Sequence, residues 1–163
     1  MILVTVGTQG PFDRLVKTVD AWAATQPGRR IFAQIGPSDY RPTAMEFAAD
    51  LDPATFEQYL TEAELIIAHA GMGTILKALE LGKPVLIMPR RASLGEQRNE
   101  HQLATAERFE RLGIVQVAQD EIDLARRLES LDSVQPSKRI SDSASPELIS
   151  HLRTFLARHL GAV

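Results

Sequence analysis

The 163-residue sequence has no cysteine. A disulfide scaffold, a thiolate metal site and a cysteine nucleophile are therefore excluded. It also lacks a basic excess: 18 Lys and Arg stand against 21 Asp and Glu, for a net charge of -3. Binding a phosphate backbone depends on such an excess, so nucleic acid is not an expected partner. No run approaches the roughly 18 apolar residues that span a bilayer. The opening Met1–Val6 is apolar, but no basic segment precedes it and Gly7 follows at once. It reads as a buried first strand rather than a secretory leader, and the expected location is the cytoplasm. Internal repeats are absent. So are GxGxxG, GxSxG and HExxH, which removes the dinucleotide fingerprint, the serine nucleophile elbow and the zincin motif. Aspartates and glutamates are not grouped as metal ligands, and no metal is expected.

What is present is an ordinary globular composition, 44% hydrophobic and 24% charged. A chain of this size makes one domain with a tail and buries roughly 70% of its unfolded surface. Apolar runs of strand length alternate with segments of helical periodicity. Strands are expected at Met1–Val6, Arg30–Ile35, Met45–Ala49, Leu65–Ala68, Pro84–Met88 and Ile114–Val117. Helices are expected at Phe12–Thr25, Pro53–Glu62 with Asp52 as its cap, Gly73–Leu81, Asn99–Leu112 and Asp120–Leu128. This alternation predicts an α/β fold with a parallel sheet covered by helices on both faces, over residues 1–129. Residues 130–145, rich in Ser, Asp, Pro and Lys, read as a linker. A final helix is expected over 146–163, with Ser145 as cap and Leu148, Ile149, Leu152, Phe155, Leu156 and Leu160 on one face. That face either packs on the sheet or docks on another chain. An unpartnered docking face would let the isolated chain self-associate.

Ligands of such sheets bind at the carboxyl ends of the strands. Three segments fall there. Gly7-Thr8-Gln9-Gly10 follows the first strand. In His69-Ala70-Gly71-Met72-Gly73-Thr74 a strand ends, two glycines follow and a helix begins. The backbone N–H groups of Gly71 and Gly73, the Thr74 hydroxyl and a hydrogen bond from His69 would suit a diphosphate. The third segment is the polar PRRASLGEQRNEHQ. There Arg90, Arg91 and Arg98 concentrate positive charge, and Asn99, Glu100, His101 and Gln102 are good partners for hydroxyls.

HAGMGTILKALELGKPVLIMPR, then NEHQLATA, and the opening VTVGTQGPFDRLV together resemble glycosyltransferase family 28, in its split, two-subunit branch. That branch includes makers of dolichol-linked chitobiose and of bacterial exopolysaccharides and capsules. The resemblance runs from Met1 to Val117 with the three motifs in order. It implies a single Rossmann-like domain equivalent to the donor-binding half of a GT-B enzyme. It implies a UDP-sugar donor with no metal required for chemistry, and a lipid-linked sugar acceptor. It places Thr8 and Gln9 near the donor phosphates or the acceptor, and His69, Gly71, Gly73 and Thr74 on the diphosphate. Asn99, His101 and Gln102 would serve the donor sugar, and Leu51–Pro53 the nucleobase. Where the family often carries a ribose-binding Glu, this chain has Lys77, with Glu80 one turn on. Arg90, Arg91 and Arg98 could meet a uronate on the donor, an acceptor pyrophosphate or anionic lipid headgroups.

A complete GT-B enzyme has two halves, and this chain supplies one. The expectation is thus the donor-binding catalytic subunit of a two-subunit glycosyltransferase. A membrane-associated partner would bring the acceptor half and the general base, and would hold the chain peripherally at the membrane. The alternative is a non-catalytic nucleotide or nucleotide-sugar binding module or scaffold.

Overall fold

A computed structural model of the chain describes residues 1–131 and Ser150. Six strands are present: β1 (Ile2–Thr5), β2 (Ile31–Gln34), β3 (Glu46–Ala48), β4 (Leu65–His69), β5 (Val85–Met88) and β6 (Gln116–Val117). Between them lie α1 (Asp13–Ala23), α2 (Pro53–Glu62), α3 (Met72–Glu80), α4 (His101–Arg111) and α5 (Glu121–Glu129). The strands form one sheet in the order β3-β2-β1-β4-β5-β6, and every pairing is parallel.

Parallel strands need a crossover, and each crossover lays a helix on the sheet. Alternate residues of β1 therefore enter two different cores. Ile2 and Val4 join Leu15, Val16, Val19 and Leu124 on the face covered by α1 and α5. Leu3 joins Leu60, Ile75, Leu79 and Phe109 on the face covered by α2, α3 and α4. Because both faces are covered, β1, β2 and β5 are buried throughout, which is why they read as unbroken apolar runs.

Helix starts follow local chemistry. Asp52 accepts from the Ala54 and Thr55 amides at 3.1 Å, and Pro53 takes the first helical position, where no N–H is needed. Asp120 caps α5 in the same way, through the Asp123 amide at 2.8 Å. The segment before α4 departs from expectation. The helix begins at His101 rather than Asn99, and a short 3-10 turn occupies Ala92–Leu94. Glu100 explains both, because its carboxylate accepts from the Ala92 and Ser93 amides and folds the loop back on itself.

Asp20 is the buried carboxylate of the fold, 3% exposed. It accepts from the Thr43 and Ala44 amides and from the Tyr40 hydroxyl at 2.7 Å, and so organises the β2–β3 connection. Burial alone would raise its carboxyl. The donors from Tyr40, Thr43 and Ala44 outweigh that and hold it below the usual range, while the same bond pushes the Tyr40 phenol up to about 12.

Ser130 follows the last turn of α5, and Leu131 is buried in the α1–α5 core. The rest of the expected linker and, apart from Ser150, the expected final helix lie outside the described residues. The sheet order reverses between β1 and β4. At such a switch point the loops leave in opposite directions and open a crevice at the strand ends.

Candidate functional site

A cleft of about 550 Å³ lies at that switch point. One side is the loop after β1, with Gly7, Thr8 and Gln9. His69 to Thr74, from the end of β4 into α3, form the floor. His101, Gln102 and Thr105 contribute from α4, and Asp50, Leu51, Pro53 and Phe56 from the approach to α2.

The start of α3 is bare. Gly71 occupies the cap position without a side-chain acceptor, and no acidic residue sits in the first turn. The amides of Met72, Gly73 and Thr74 therefore have no acceptor among the described residues. A helix N-terminus left open in this way attracts an anion. The two glycines here serve different ends. A Cβ on Gly71 would lie 2.2 Å from His69 Nε2, so packing demands glycine there. A Cβ on Gly73 would meet nothing within 4 Å. Glycine inside a helix costs about 1 kcal/mol relative to alanine, and the fold does not require it at 73. What Gly73 provides is open space above the free amides.

The His69 ring packs closely against two stretches of backbone, at Gly7 and Gly71. A Cβ on Gly7 would come within 2.7 Å of its Cε1. Burial, and after it the Arg90 guanidinium, pushes the His69 imidazole down to about 4, against the opposing Thr5 carbonyl. At neutral pH the ring is uncharged and offers one donor and one acceptor. Its Nδ1 is buried without a hydrogen-bond partner among the described residues.

The loop after β1 is clamped by a residue the sequence reading passed over. Gln34, 4% exposed, closes the apolar strand β2. Its Oε1 accepts from the Thr5 hydroxyl at 2.8 Å and the Gly7 amide at 3.1 Å. Its Nε2 donates to the Gly7 and Ala49 carbonyls at 3.1 and 3.0 Å. A glutamine ending an otherwise apolar strand was the available signal. Asp50, Phe56 and Thr105 also line the cleft unforeseen. Thr105 stands one helical turn after His101, a spacing that puts both on one face of α4.

The third predicted segment is split by the structure. His101 and Gln102 line the cleft, while Asn99 does not. The Asn99 Oδ1 instead accepts from the His101 amide at 3.2 Å and also touches the His101 ring, so it holds that histidine rather than facing a ligand. Gln102 is 3% exposed, and its Oε1 accepts from the Arg90 amide at 3.1 Å.

The expected anion contacts need correcting. Arg90 is 1% exposed, and both its Nη groups are spent on main-chain carbonyls. It is an interior residue with no reach to a uronate or a lipid. Arg91 lies outside the cleft and donates to the Gln119 carbonyl at 2.9 Å. Arg98 is exposed, has no side-chain partner among the described residues, and does not line the cleft either. Lys77 pairs with Glu57 of α2 at 2.9 Å and with Glu80 at 3.8 Å, so neither Lys77 nor Glu80 faces the cleft. Glu96 anchors the loop, meeting Arg14 with both oxygens at 2.9 Å. Gln97 donates to the Gln9 Oε1 at 3.0 Å and ties this loop to the first one.

Among the described residues no three His, Cys, Asp or Glu side chains are grouped as a metal site. Nor is any helix there long and apolar enough to cross a membrane.

Comparison with known proteins meets the same loops and sheet. The UDP-N-acetylglucosamine transferase subunit ALG13 of Homo sapiens is 32% identical over 122 residues, which cover 69% of this chain and 10% of that protein. The chain thus spans about a tenth of the length of this curated relative. A crystal structure of the glycotransferase of kitacinnamycin superposes with a TM-score of 0.61 at 25% identity, covering 97% of this chain and 39% of that one. The NMR solution structure of ALG13 superposes with a TM-score of 0.60 at 19% identity, covering 93% of both chains. The fold is that of one Rossmann-like half of a GT-B enzyme. The model of the glycosyltransferase family 28 C-terminal domain matches residues 1–151, a span that takes in every wall of the cleft, and the chain belongs to that family.

Proposed function

We propose that the chain is the donor-binding part of a glycosyltransferase that moves a sugar from a UDP-sugar to a lipid-linked acceptor. A membrane-associated second polypeptide supplies the acceptor half and the general base, and keeps the chain at the membrane surface. The observation that carries this reading is the bare start of α3, where three amides without acceptors lie beneath a glycine that the fold does not need. The relatives' names, transferase subunits acting with UDP-N-acetylglucosamine, support both a UDP-sugar donor and a partner.

In this reading the diphosphate rests on the amides of Gly73 and Thr74, the Thr74 hydroxyl and the neutral His69. Leu51, Pro53 and Phe56 wall the base, and the Asp50 carboxylate accepts from ribose hydroxyls in place of the carboxylate missing at Lys77. His101, Gln102 and Thr105 face the sugar, with Thr8 and Gln9 beside the phosphates. The acceptor hydroxyl forms the new bond to the anomeric carbon. The bond from that carbon to the diphosphate breaks, and UDP leaves with the electron pair. The acceptor's proton passes to the partner's base. Negative charge grows on the diphosphate during this step, so fixed amides that stabilise it speed the transfer. The donor set does this with hydrogen bonds, and no metal is called for.

The test is ligand-observed NMR of the chain with UDP, using ADP as control. Selective contact with UDP, with amide shifts at Gly71, Gly73 and Thr74, is expected. Silence toward UDP with the partner chain also present overturns the reading. Binding without turnover after the partner and a lipid-linked acceptor are added would favour the non-catalytic module.

A further inference from the structure

Arg90 is a buried cation with no carboxylate hydrogen-bonded to it among the described residues. Its Nη1 donates to the Pro11 carbonyl at 2.6 Å and the Glu96 carbonyl at 3.2 Å. Its Nη2 donates to the Val6 and Gly10 carbonyls at 2.8 and 2.7 Å. Its guanidinium also lies 4.9 Å from the centre of the Phe12 ring. The nearest carboxylate in sequence, Glu96, is spent on Arg14. Taking a guanidinium out of water is expensive unless its donors are met. Four carbonyls meet them here, and three belong to the loop after β1.

The consequence for the loop is specific. Carbonyl oxygens at the edge of a phosphate site repel the ligand, whereas amides attract it. Arg90 draws the Val6, Gly10 and Pro11 carbonyls toward itself, and Gln34 takes the Gly7 carbonyl. The amides of Thr8, Gln9 and Gly10 are left with no acceptor among the described residues. Through its own amide Arg90 also fixes Gln102, on the opposite wall.

We infer that Arg90 is the positioning residue of the cleft. It draws the Val6, Gly10 and Pro11 carbonyls of the loop after β1 away from the cleft, so that the free amides of Thr8, Gln9 and Gly10 are available to an anionic ligand. That it serves a nucleoside diphosphate rests on the proposed function. That it sets the loop does not.

Two variants test this. Arg90→Lys keeps the charge but replaces the planar fork with a point donor that cannot serve four carbonyls. Arg90→Met keeps the bulk and removes every donor. The amide spectrum and hydrogen exchange of the ligand-free proteins are recorded first, and UDP affinity second. Arg90→Lys should fold, with β3 and α2 shifts unchanged. Its amides from Gly7 to Phe12 should move and exchange at least tenfold faster, and it should bind UDP at least tenfold more weakly. Arg90→Met, where it folds, should bind no UDP. A folded Arg90→Lys protein with unshifted loop amides overturns the inference, and so does one with shifted amides and wild-type affinity. A role confined to stability would lower the melting temperature while the folded variant bound UDP as before. Should the wild-type chain itself ignore UDP, the donor reading fails, and the loop amides still decide the role of Arg90.

Discussion

The two glycine-bearing loops at the switch point line one cleft and meet at the His69 ring, yet they are shaped mainly by different means. The loop after β1 is held by side chains from a distance: Gln34 grips Gly7 from β2, and Arg90 grips Val6, Gly10 and Pro11 from beyond β5. The loop after β4 has no such grip. Its shape comes from exclusion, because the His69 ring leaves no room for a Cβ on Gly71, and from the helix that starts at Met72. The first loop therefore depends on remote residues as well as on its own Gly7, where φ is +72° and a Cβ would lie 2.7 Å from His69 Cε1. The second depends on its own Gly71. Hydrogen bonds to a loop carbonyl act over any sequence separation, whereas a steric demand is met only by the residue at that place.

Four outcomes would break or sharpen this contrast, in falling order of effect. Gly73→Asp places a carboxylate over the free amides of α3, where nothing crowds it. It should abolish UDP binding in a titration while leaving the melting temperature near wild type. A variant that binds UDP normally would remove the phosphate assignment. Gly71→Ala puts a methyl 2.2 Å from His69 Nε2. The ring must move, and overpacking of this kind costs about 1–3 kcal/mol, to be read from chemical denaturation. Unchanged stability would mean that exclusion does not shape this loop. Gln34→Leu keeps the volume but strands the Gly7 carbonyl and the Thr5 hydroxyl hydrogen, and takes one of two partners from the Gly7 amide and the Ala49 carbonyl. A buried group left unpaired costs about 1–3 kcal/mol, so stability should fall comparably, with the shift changes centred on Gly7.

The last outcome concerns pH. His69 has a folded value of about 4, below the ordinary value of 6.5. The unfolded chain therefore binds more protons between these values, and stability rises with pH. The contribution is complete above 6.5 and is lost as pH falls toward 4. Melting temperatures across that window should decline in the wild type and decline less in His69→Gln. Equal slopes would show that the histidine is not held neutral by its surroundings.

Much of this architecture was legible in the chain. Every described strand and α-helix was anticipated, though not the 3-10 turn at Ala92–Leu94, because doubly covered parallel strands are largely apolar and their helices carry apolar stripes. Pro53–Glu62 was placed to the residue, since Asp52 and Pro53 spell out a helix start. The glycine loops were visible through position, as each follows an apolar run that ends abruptly. The arginines could not be sorted this way. Arg90, Arg91 and Arg98 look alike in a polar stretch, yet one is interior, one is tied to Gln119 and one is exposed with no side-chain partner among the described residues. Nor could Gln34 and Asp50 be assigned to the cleft, because strand β2, which carries Gln34, and the segment after β3, which carries Asp50, reach it only through the sheet order.

The sequence by itself determined the alternation of elements, the two-faced core and the anion-ready start of α3, since periodicity, capping and glycine placement are local properties. Only the tertiary structure decided which side chains meet across the switch point. The setting of the loop after β1 depends on Arg90, 80 residues away from Gly10. No local propensity encodes a contact at that separation. It exists because parallel pairing brings the ends of β1 and β5 to the same edge of one sheet, with only β4 between them.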